Sequence, residues 1–152
     1  MKEREFHQTA IDLLVKEFKK NFVLEDIRLI EKLIITNSWW DSVDTIAKYI
    51  LGGYLLQFPS ETLKVIERFS NSKNMWLNRS AILFQLSYKD KTNFEILKSE
   101  CEKHKRSNEF FIQKAIGWAL RDYSRFNPKG VESYVNSTNL KPLSRREALR
   151  LL

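Results

Sequence analysis

Apolar residues recur at spacings of three and four along most of the chain, the pattern of helices that bury one face. The sequence has no alternating apolar and polar runs joined by Asn-Gly or Asp-Gly turns, which would indicate β-hairpins. We therefore expect an all-α fold of short helices joined by short loops. A first helix is predicted from about Glu3 to Lys20 and a second from about Glu25 to Ile35. The buried side of the first helix should carry Phe6, Ala10, Leu13, Leu14 and Phe18.

Capping residues and helix breakers predict where the later helices begin and end. Ser38 is expected to be an N-cap, with Asp41 three residues later as its partner in a capping box. The third helix should then run from Trp39 toward Leu51 and weaken at Gly52-Gly53. Pro128 fits the first turn of a later helix. Further helix starts are predicted at Ser60, Thr92, Ser107 and Ser144.

The third helix separates two adjacent tryptophans. Its apolar stripe, at the i, i+4, i+7 and i+11 positions, holds Trp39, Val43, Ile46 and Ile50. Trp39 is therefore predicted to be a core residue. Trp40 lies on the neighbouring stripe with Asp44 and Lys48, where its indole should be exposed beside a carboxylate. The alternative for this stripe is an ordinary surface ion pair between Asp44 and Lys48.

A weak internal repeat relates three apolar segments. The segment MWLNRSAILFQL begins at Met75 and aligns with FFIQKAIGWALR, which begins at Phe110, an offset of 35 residues. The same step backwards reaches Trp40 and the segment WDSVDTIAKYIL. Periods of this length are typical of helical solenoids. We therefore expect antiparallel helix pairs stacked as a HEAT-like α-α superhelix, in a single HEAT-like-repeat domain over residues 1–152.

The repeat places three charged residues at one register: Asp44, Arg79 and Lys114, each 35 residues from the next. Equivalent positions lie side by side in a solenoid. A charge on an otherwise apolar helix is costly to bury unless it is paired or faces a wet groove. The three residues therefore either pair with each other and stabilise the stack, or line a functional groove.

Tryptophans near these charges favour the functional groove. Each indole lies three or four residues from its charge: Trp40 before Asp44, Trp76 before Arg79, and Trp118 after Lys114. Arg121 adds a further cation three residues beyond Trp118. Because aromatic side chains beside cations are common where nucleic acids are contacted, this set is our first candidate for a site.

Composition favours an anionic partner and limits the available chemistry. The chain has 26 Lys and Arg residues against 19 Asp and Glu residues, a formal charge of +7, which suits nucleic acid or a lipid surface. Cys101 is the only cysteine and there are two histidines, so a cysteine-rich or histidine-rich metal site is excluded. We interpret Cys101 as a small helix residue and not a nucleophile. No apolar run approaches the roughly 18 residues of a spanning helix, and the N-terminus lacks a signal-peptide core, so we expect a soluble intracellular protein.

Basic residues accumulate toward the C-terminus, several of them near predicted helix starts. Helix N-termini and cations both suit phosphate. The alternative for each of these residues is a solvated basic surface without a ligand. They are Arg121, Arg125, Lys129, Lys141, Arg145, Arg146 and Arg150.

Four blocks of the sequence resemble the HEAT-like-repeat alkylpurine DNA glycosylases of bacteria, the DNA alkylation repair family. They are SWWDSVD from Ser38, MWLNRSAILFQLSYK from Met75, EFFIQKAIGWALRDYS from Glu109 and LKPLSRREAL from Leu140. With the intervening helices, the resemblance extends over essentially the whole chain. It implies a monofunctional glycosylase that hydrolyses the N-glycosidic bond of purines alkylated at N3 or N7 in duplex DNA, without a metal or organic cofactor. A cytoplasmic, nucleoid-associated bacterial protein would follow.

The resemblance also implies roles for individual residues. An aspartate flanked by two tryptophans forms the catalytic cleft of family members, and these residues match Asp44, Trp40 and Trp118. An arginine that contacts the DNA backbone matches Arg79. From charge and position, we add as expected DNA contacts Lys114, Arg121, Arg145 and Arg146.

One departure from the family pattern affects the expected activity. Full-length members carry further helices before the segment that matches EREFHQTA, so the domain is expected to be incomplete at its N-terminus. Two alternative functions therefore remain beside the glycosylase. One is a catalytically weak or inactive DNA-binding module that keeps the basic face, and the other is a HEAT-like scaffold for protein partners.

Overall fold

The computed structural model describes residues 2–18, 21–36 and 38–152. Every regular element in these ranges is helical and none is a β-strand, so the all-α prediction is confirmed. The chain divides into two compact units, Met1–Phe84 and Gln85–Leu152, and each unit buries its own apolar residues. The predicted organisation as a single domain stays a prediction.

The first unit is built around a long helical run near its centre. Its α-helices are α1 (Lys2–Phe18), α2 (Asp26–Ile35), α3 (Trp40–Thr45), α4 (Gly52–Gln57), α5 (Thr62–Ser70) and α6 (Met75–Leu83). A π-helical turn, Ile46–Leu51, joins α3 to α4. Helix α3 packs against α1, α2 and α6, and α5 packs against α6. The helical run therefore holds the centre of this unit, with Val43, Ile46 and Ile50 buried as predicted.

The predicted buried face of the first helix is wrong. Phe6 and Leu13 are exposed, whereas Ile11 is buried. Helix α1 contains apolar residues on more than one side, so its periodicity does not identify the side that faces α3. The predicted end at Lys20 lies outside the described residues.

Trp39 is also not the core tryptophan that the helical stripe predicts. Its backbone is extended, with φ −113° and ψ 142°, and the helix begins one residue later at Trp40. Trp39 is therefore outside the helix, and its exposed indole lies 5.3 Å from the Arg4 guanidinium, measured to the ring centroid. The predicted capping box is absent as well, because the Ser38 hydroxyl donates to the Ile34 carbonyl at the end of α2.

The Gly52-Gly53 pair, where the helix is expected to weaken, marks a change of helix type and not an end. Helical structure continues from the π-helical turn into α4 and stops at Phe58, immediately before Pro59. A Cβ atom at position 53 would lie 3.1 Å from Cε2 of Phe22, so Gly53 lets the Phe22 ring pack closely against the helix. Tertiary packing thus outweighs the low helix propensity of glycine here.

The second unit is arranged around its longest helix. Its helices are α7 (Phe94–His104), α8 (Phe110–Ser124), α9 (Pro128–Ser137) and α10 (Pro142–Ala148). Helix α8 packs against α7, α9 and α10. Pro128 occupies the first turn of α9, as predicted. Cys101 is a buried free thiol in α7, in agreement with its interpretation as a packing residue, and burial raises its pKa.

Several predicted caps differ by one residue or more. Asn93, and not Thr92, caps α7 by accepting a hydrogen bond from the Ile96 amide over 3.1 Å. Ser60 lies in a 3-10 turn, Pro59–Glu61, that precedes α5. Ser144 is buried inside α10, where its hydroxyl donates to the Gln113 carbonyl of α8 over 2.8 Å. Ser144 therefore ties two helices together instead of starting one.

Candidate active site and basic cleft

Asp44 and Arg79 form a buried ion pair in the first unit. The Nε of Arg79 donates to Oδ1 of Asp44 over 2.7 Å, and its Nη2 donates to Oδ2 over 2.9 Å. This bidentate arrangement fixes the plane of the carboxylate. Asp44 is only 6% exposed and Arg79 only 3% exposed. The pair links α3 to α6 and holds the Asp44 carboxylate in one orientation.

The pair brings together the first two members of the register that the 35-residue repeat predicts. It also excludes the alternative pairing of Asp44 with Lys48, whose Nζ lies 4.9 Å from the centroid of the Tyr49 ring. Of the two interpretations of the charged residues at this register, pairing with each other therefore holds for Asp44 and Arg79. Arg79 is a clamp for Asp44 in this arrangement, and its contact with a DNA phosphate stays a prediction.

Trp40 lies one helical turn before Asp44. It is the first residue of α3 and is 50% exposed, in agreement with its predicted position on an exposed stripe. A half-exposed indole thus stands on the same helix as a fixed carboxylate. Trp118 belongs to the second unit, and a cleft in which Trp40 and Trp118 flank Asp44 stays a prediction.

In the second unit, Glu147 binds the cations that the sequence selects beside Trp118. Its Oε1 lies 3.4 Å from Nζ of Lys114, and its Oε2 lies 3.0 Å from Nη1 of Arg121. Nη1 of Arg150 lies 3.9 Å from the same Oε2. Lys114, Trp118 and Arg121 follow the i, i+4 and i+7 spacing, so they share one face of α8. Sequence reasoning missed Glu147, which stands within the basic block LSRREAL and looks like an ordinary surface acid there.

The environment of Glu147 favours its ionised form. Its side chain is 13% exposed, and burial alone would raise the pKa of the carboxyl. The nearby Lys114, Arg121 and Arg150 outweigh burial, so the pKa of Glu147 is lowered overall. The negative charge of Glu147 offsets the repulsion between these three cations, so they can lie close together.

Gly117 allows Glu147 to reach these cations. A Cβ atom at position 117 would lie 2.5 Å from Cβ of Glu147 and 3.0 Å from the Ser144 carbonyl oxygen. No larger residue fits at this crossing of α8 and α10 without moving one of the helices. The close approach also brings the Ser144 hydroxyl within reach of the Gln113 carbonyl.

A basic cleft of about 330 Å³ lies in the second unit. It is lined by Trp118, Arg121, Asp122, Arg125, Arg150 and Leu151. Oδ2 of Asp122 accepts a hydrogen bond from the backbone amide of Ser87 over 3.1 Å. That bond holds the turn before α7, in which Ser87 and Lys89 adopt the left-handed conformation with φ of 67° and 58°. Three guanidinium groups, one indole and one carboxylate thus surround a single concave surface.

The two remaining predicted DNA contacts lie on α10. Arg145 donates from Nη1 to the Val135 carbonyl over 3.0 Å and from Nη2 to Oδ1 of Asn136 over 2.7 Å. These bonds anchor α10 to the C-terminal end of α9. Arg146 is exposed. Neither residue lines the basic cleft, and their contact with DNA stays a prediction.

Other kinds of site find no support in the part of the chain that the structure describes. Within it, no three His, Cys, Asp or Glu side chains are grouped so as to hold a metal ion. None of the described helices is both long enough and apolar enough to span a membrane.

These features define an all-α protein with a clamped carboxylate beside an exposed indole in one unit and a basic, aromatic cleft in the other. The family model described as DNA alkylation repair enzyme matches residues 1–152, so the chain belongs to that family. A solved structure described as a predicted DNA alkylation repair enzyme from Enterococcus faecalis is 37% identical, with a TM-score of 0.90. The match covers 98% of the present chain and 69% of that chain. No curated protein matches the chain.

Proposed function

We propose that the protein is a DNA glycosylase that hydrolyses the N-glycosidic bond of N3- and N7-alkylated purines in duplex DNA. The observation that carries this proposal is the Asp44 carboxylate, fixed by two hydrogen bonds from Arg79 one helical turn from the half-exposed Trp40. Membership of the DNA alkylation repair family supports DNA as the substrate.

The reaction needs few catalytic groups. A purine alkylated at N3 or N7 carries a positive charge, so the bond between C1′ and N9 breaks with its electron pair moving to the base, which leaves neutral. Positive charge then develops on the deoxyribose, as in other glycosyl transfers. Water adds to C1′ and loses a proton, giving an abasic site and the free base. The enzyme therefore has to stabilise a cation and place a water molecule.

Asp44 suits both tasks because Arg79 uses only part of its capacity. A carboxylate has about four acceptor positions, and Arg79 occupies one on each oxygen. The remaining positions would accept hydrogen bonds from the attacking water, while the negative charge stabilises the developing oxocarbenium ion. A carboxylate held by a bidentate partner needs little reorganisation during the reaction, which lowers the barrier.

The tryptophans would recognise the nucleotide. The exposed indole of Trp40 offers a π face for the sugar as its positive charge develops. Trp118 would contact the strand from the second unit, next to the basic cleft. In this proposal Lys114, Arg121, Arg145 and Arg146 contribute to the positive field that attracts DNA.

The test is excision of 3-methyladenine and 7-methylguanine from methylated duplex DNA under single-turnover conditions. Asp44→Asn, assayed at a temperature at which circular dichroism shows it folded, should lower the excision rate by about 100-fold or more, since it removes the charge that stabilises the transition state. Asp41→Asn is the matched control, because Asp41 stands one turn earlier on α3 and pairs with Arg4. Equal excision by the wild type and Asp44→Asn would refute the proposed chemistry.

A DNA-binding module without turnover is the second candidate, and the same ion pair favours it. Asp44 and Arg79 are both buried, as in a purely structural pair. This candidate predicts salt-dependent binding of duplex DNA and no excision by either the wild type or Asp44→Asn.

A further inference from the structure

Most of the net charge of the protein belongs to its second unit. Residues 85–152 contain 14 Lys and Arg residues against eight Asp and Glu residues, so their formal charge is +6 out of a total of +7. The first unit, which carries Asp44, is nearly neutral. Attraction of a polyanion therefore depends mainly on the second unit.

We propose that the basic cleft binds one sugar-phosphate unit of the DNA backbone and that Arg125 and Arg150 are its phosphate contacts. This inference rests on the proposed DNA substrate but not on the proposed reaction. It differs from expectation, because charge and position in the sequence favour Lys114 and Arg121 as the contacts. It selects Arg125 and Arg150 from the seven C-terminal basic residues that the sequence offers as phosphate candidates.

Exposure and pairing separate the contact residues from the others. Arg121 is only 23% exposed and donates to Glu147 over 3.0 Å, so its charge is largely compensated. Arg150 is 68% exposed, and its distance to Glu147 is 3.9 Å, which is too long for a good hydrogen bond. Arg125 is exposed at the C-terminal end of α8. Arg125 and Arg150 are thus the cleft guanidiniums best able to reach a ligand.

The acids of the cleft do not cancel this charge. The cleft lining holds three arginines against one carboxylate, Asp122, one oxygen of which accepts the Ser87 amide. Glu147 is held among Lys114, Arg121 and Arg150. Because Glu147 fixes α10 against α8, it acts as a positioning residue for the C-terminal turn that carries Arg150.

The volume and the lining of the cleft are compatible with a single nucleotide unit of the backbone. A volume of about 330 Å³ is at the small end of the range for ligand sites, roughly 300 to 1,000 Å³. Trp118 and Leu151 give the cleft an apolar wall against which a deoxyribose would pack. Two arginines from different elements, the C-terminal end of α8 and the turn after α10, would contact the phosphate.

The test measures binding of an unmodified duplex by fluorescence anisotropy at several salt concentrations. Arg125→Gln and Arg150→Gln should each weaken binding by about tenfold and reduce the slope of log K against log salt by about 1. Arg106→Gln is the matched control, because Arg106 is an exposed arginine of the same unit outside the cleft. Thermal unfolding of each variant establishes that the fold is retained.

Different results overturn different parts of the reasoning. If Arg125→Gln and Arg150→Gln bind with the affinity and salt slope of Arg106→Gln, the cleft is not a phosphate site. Wild-type excision of methylated bases, together with unchanged binding by Arg125→Gln and Arg150→Gln, would uphold the proposed reaction and refute the cleft.

Discussion

Replacement of Arg79 by glutamine tests whether the ion pair with Asp44 is the buried clamp described above. The substitution removes both donors that reach the carboxylate, Nε at 2.7 Å and Nη2 at 2.9 Å. Asp44 then remains as a charge in a site that is 6% exposed. We expect a large loss of stability, because a carboxylate so little exposed gains only partial solvation in place of its partner.

The magnitude follows from the burial of both partners. Removing one member of a buried ion pair costs about 3–5 kcal/mol, whereas an exposed pair contributes about 0–1 kcal/mol. Arg79 is only 3% exposed, so the buried value applies. Domains of this size have unfolding free energies of about 5–15 kcal/mol, so Arg79→Gln should be weakly folded at 25 °C.

Urea denaturation monitored by circular dichroism measures the effect, and the first unit supplies a matched control. Arg68 pairs with Glu31 over 2.8 Å, with side-chain exposures of 53% and 31%. Arg68→Gln should therefore lower the free energy of unfolding by less than about 1 kcal/mol. If Arg79→Gln costs no more than Arg68→Gln, the interpretation of a buried clamp is refuted.

A double-mutant cycle separates the pair from other contacts of Arg79. Asp44→Asn with Arg79→Gln places two neutral amides where the ions stood. The double variant should lose less stability than the two single variants summed, with a coupling free energy of at least about 2 kcal/mol. Additive losses would mean that Arg79 stabilises the fold through other partners.

Three further predictions concern the second unit. Glu147→Gln should lower the free energy of unfolding at neutral pH and converge with the wild type in acid. A lowered pKa gives stability that is present above the ordinary glutamate pKa of 4.5 and is lost as the pH falls below it. A difference that is independent of pH would contradict the ion-pair role. Hydrogen bonds from Lys105 and Thr138 lower the pKa of Glu102 to about 2. The wild type should therefore lose the stability that this carboxylate contributes as the pH falls from 4.5 to about 2. Glu102→Gln should lack that contribution in acid denaturation. Gly117→Ala should destabilise the fold in urea denaturation, since a clash costing about 1–3 kcal/mol exceeds the gain in helix propensity of about 1 kcal/mol. Gly53→Ala, whose Cβ would meet only the Phe22 side chain at 3.1 Å, is the control and should cost less than Gly117→Ala.

Periodicity was sufficient to predict the fold class, because every regular element among the described residues is helical. It could not predict where each helix begins and ends. Trp39 illustrates the limit: it fits an apolar stripe, yet its backbone is extended and its indole exposed. An apolar stripe predicts that a residue is buried only if that residue lies within the helix, and Trp39 lies before it. The Ser38 hydroxyl bonds backwards to α2 and does not cap α3, which begins at Trp40.

The internal repeat predicted contacts between helices, because it identifies residues at equivalent positions of neighbouring helices. Local helix preferences carry no such information. An offset of 35 residues placed Asp44 and Arg79 on neighbouring helices, and they form the bidentate pair. The same offset separates Phe22 from Gln57, whose side chain bonds to the Phe22 backbone in both directions, and Ser87 from Asp122. The 35-residue offset thus recurs in several contacts between elements. The periodicity within a single helix would not indicate them.

Glu147 shows why the electrostatics of the second unit were beyond the sequence. Its importance depends on the crossing of α8 and α10 at Gly117, where the two helices approach so closely that one carboxylate contacts three cations. From charge and position in the sequence, Lys114 and Arg121 are the expected DNA contacts and Arg150 is not. Glu147 lies 3.0 Å from Arg121 and 3.9 Å from Arg150, so it compensates Arg121 more strongly. In the proposed cleft, Arg150 is therefore the better phosphate contact of the two, a ranking that depends on an anion and that a sequence search for cations alone would not give.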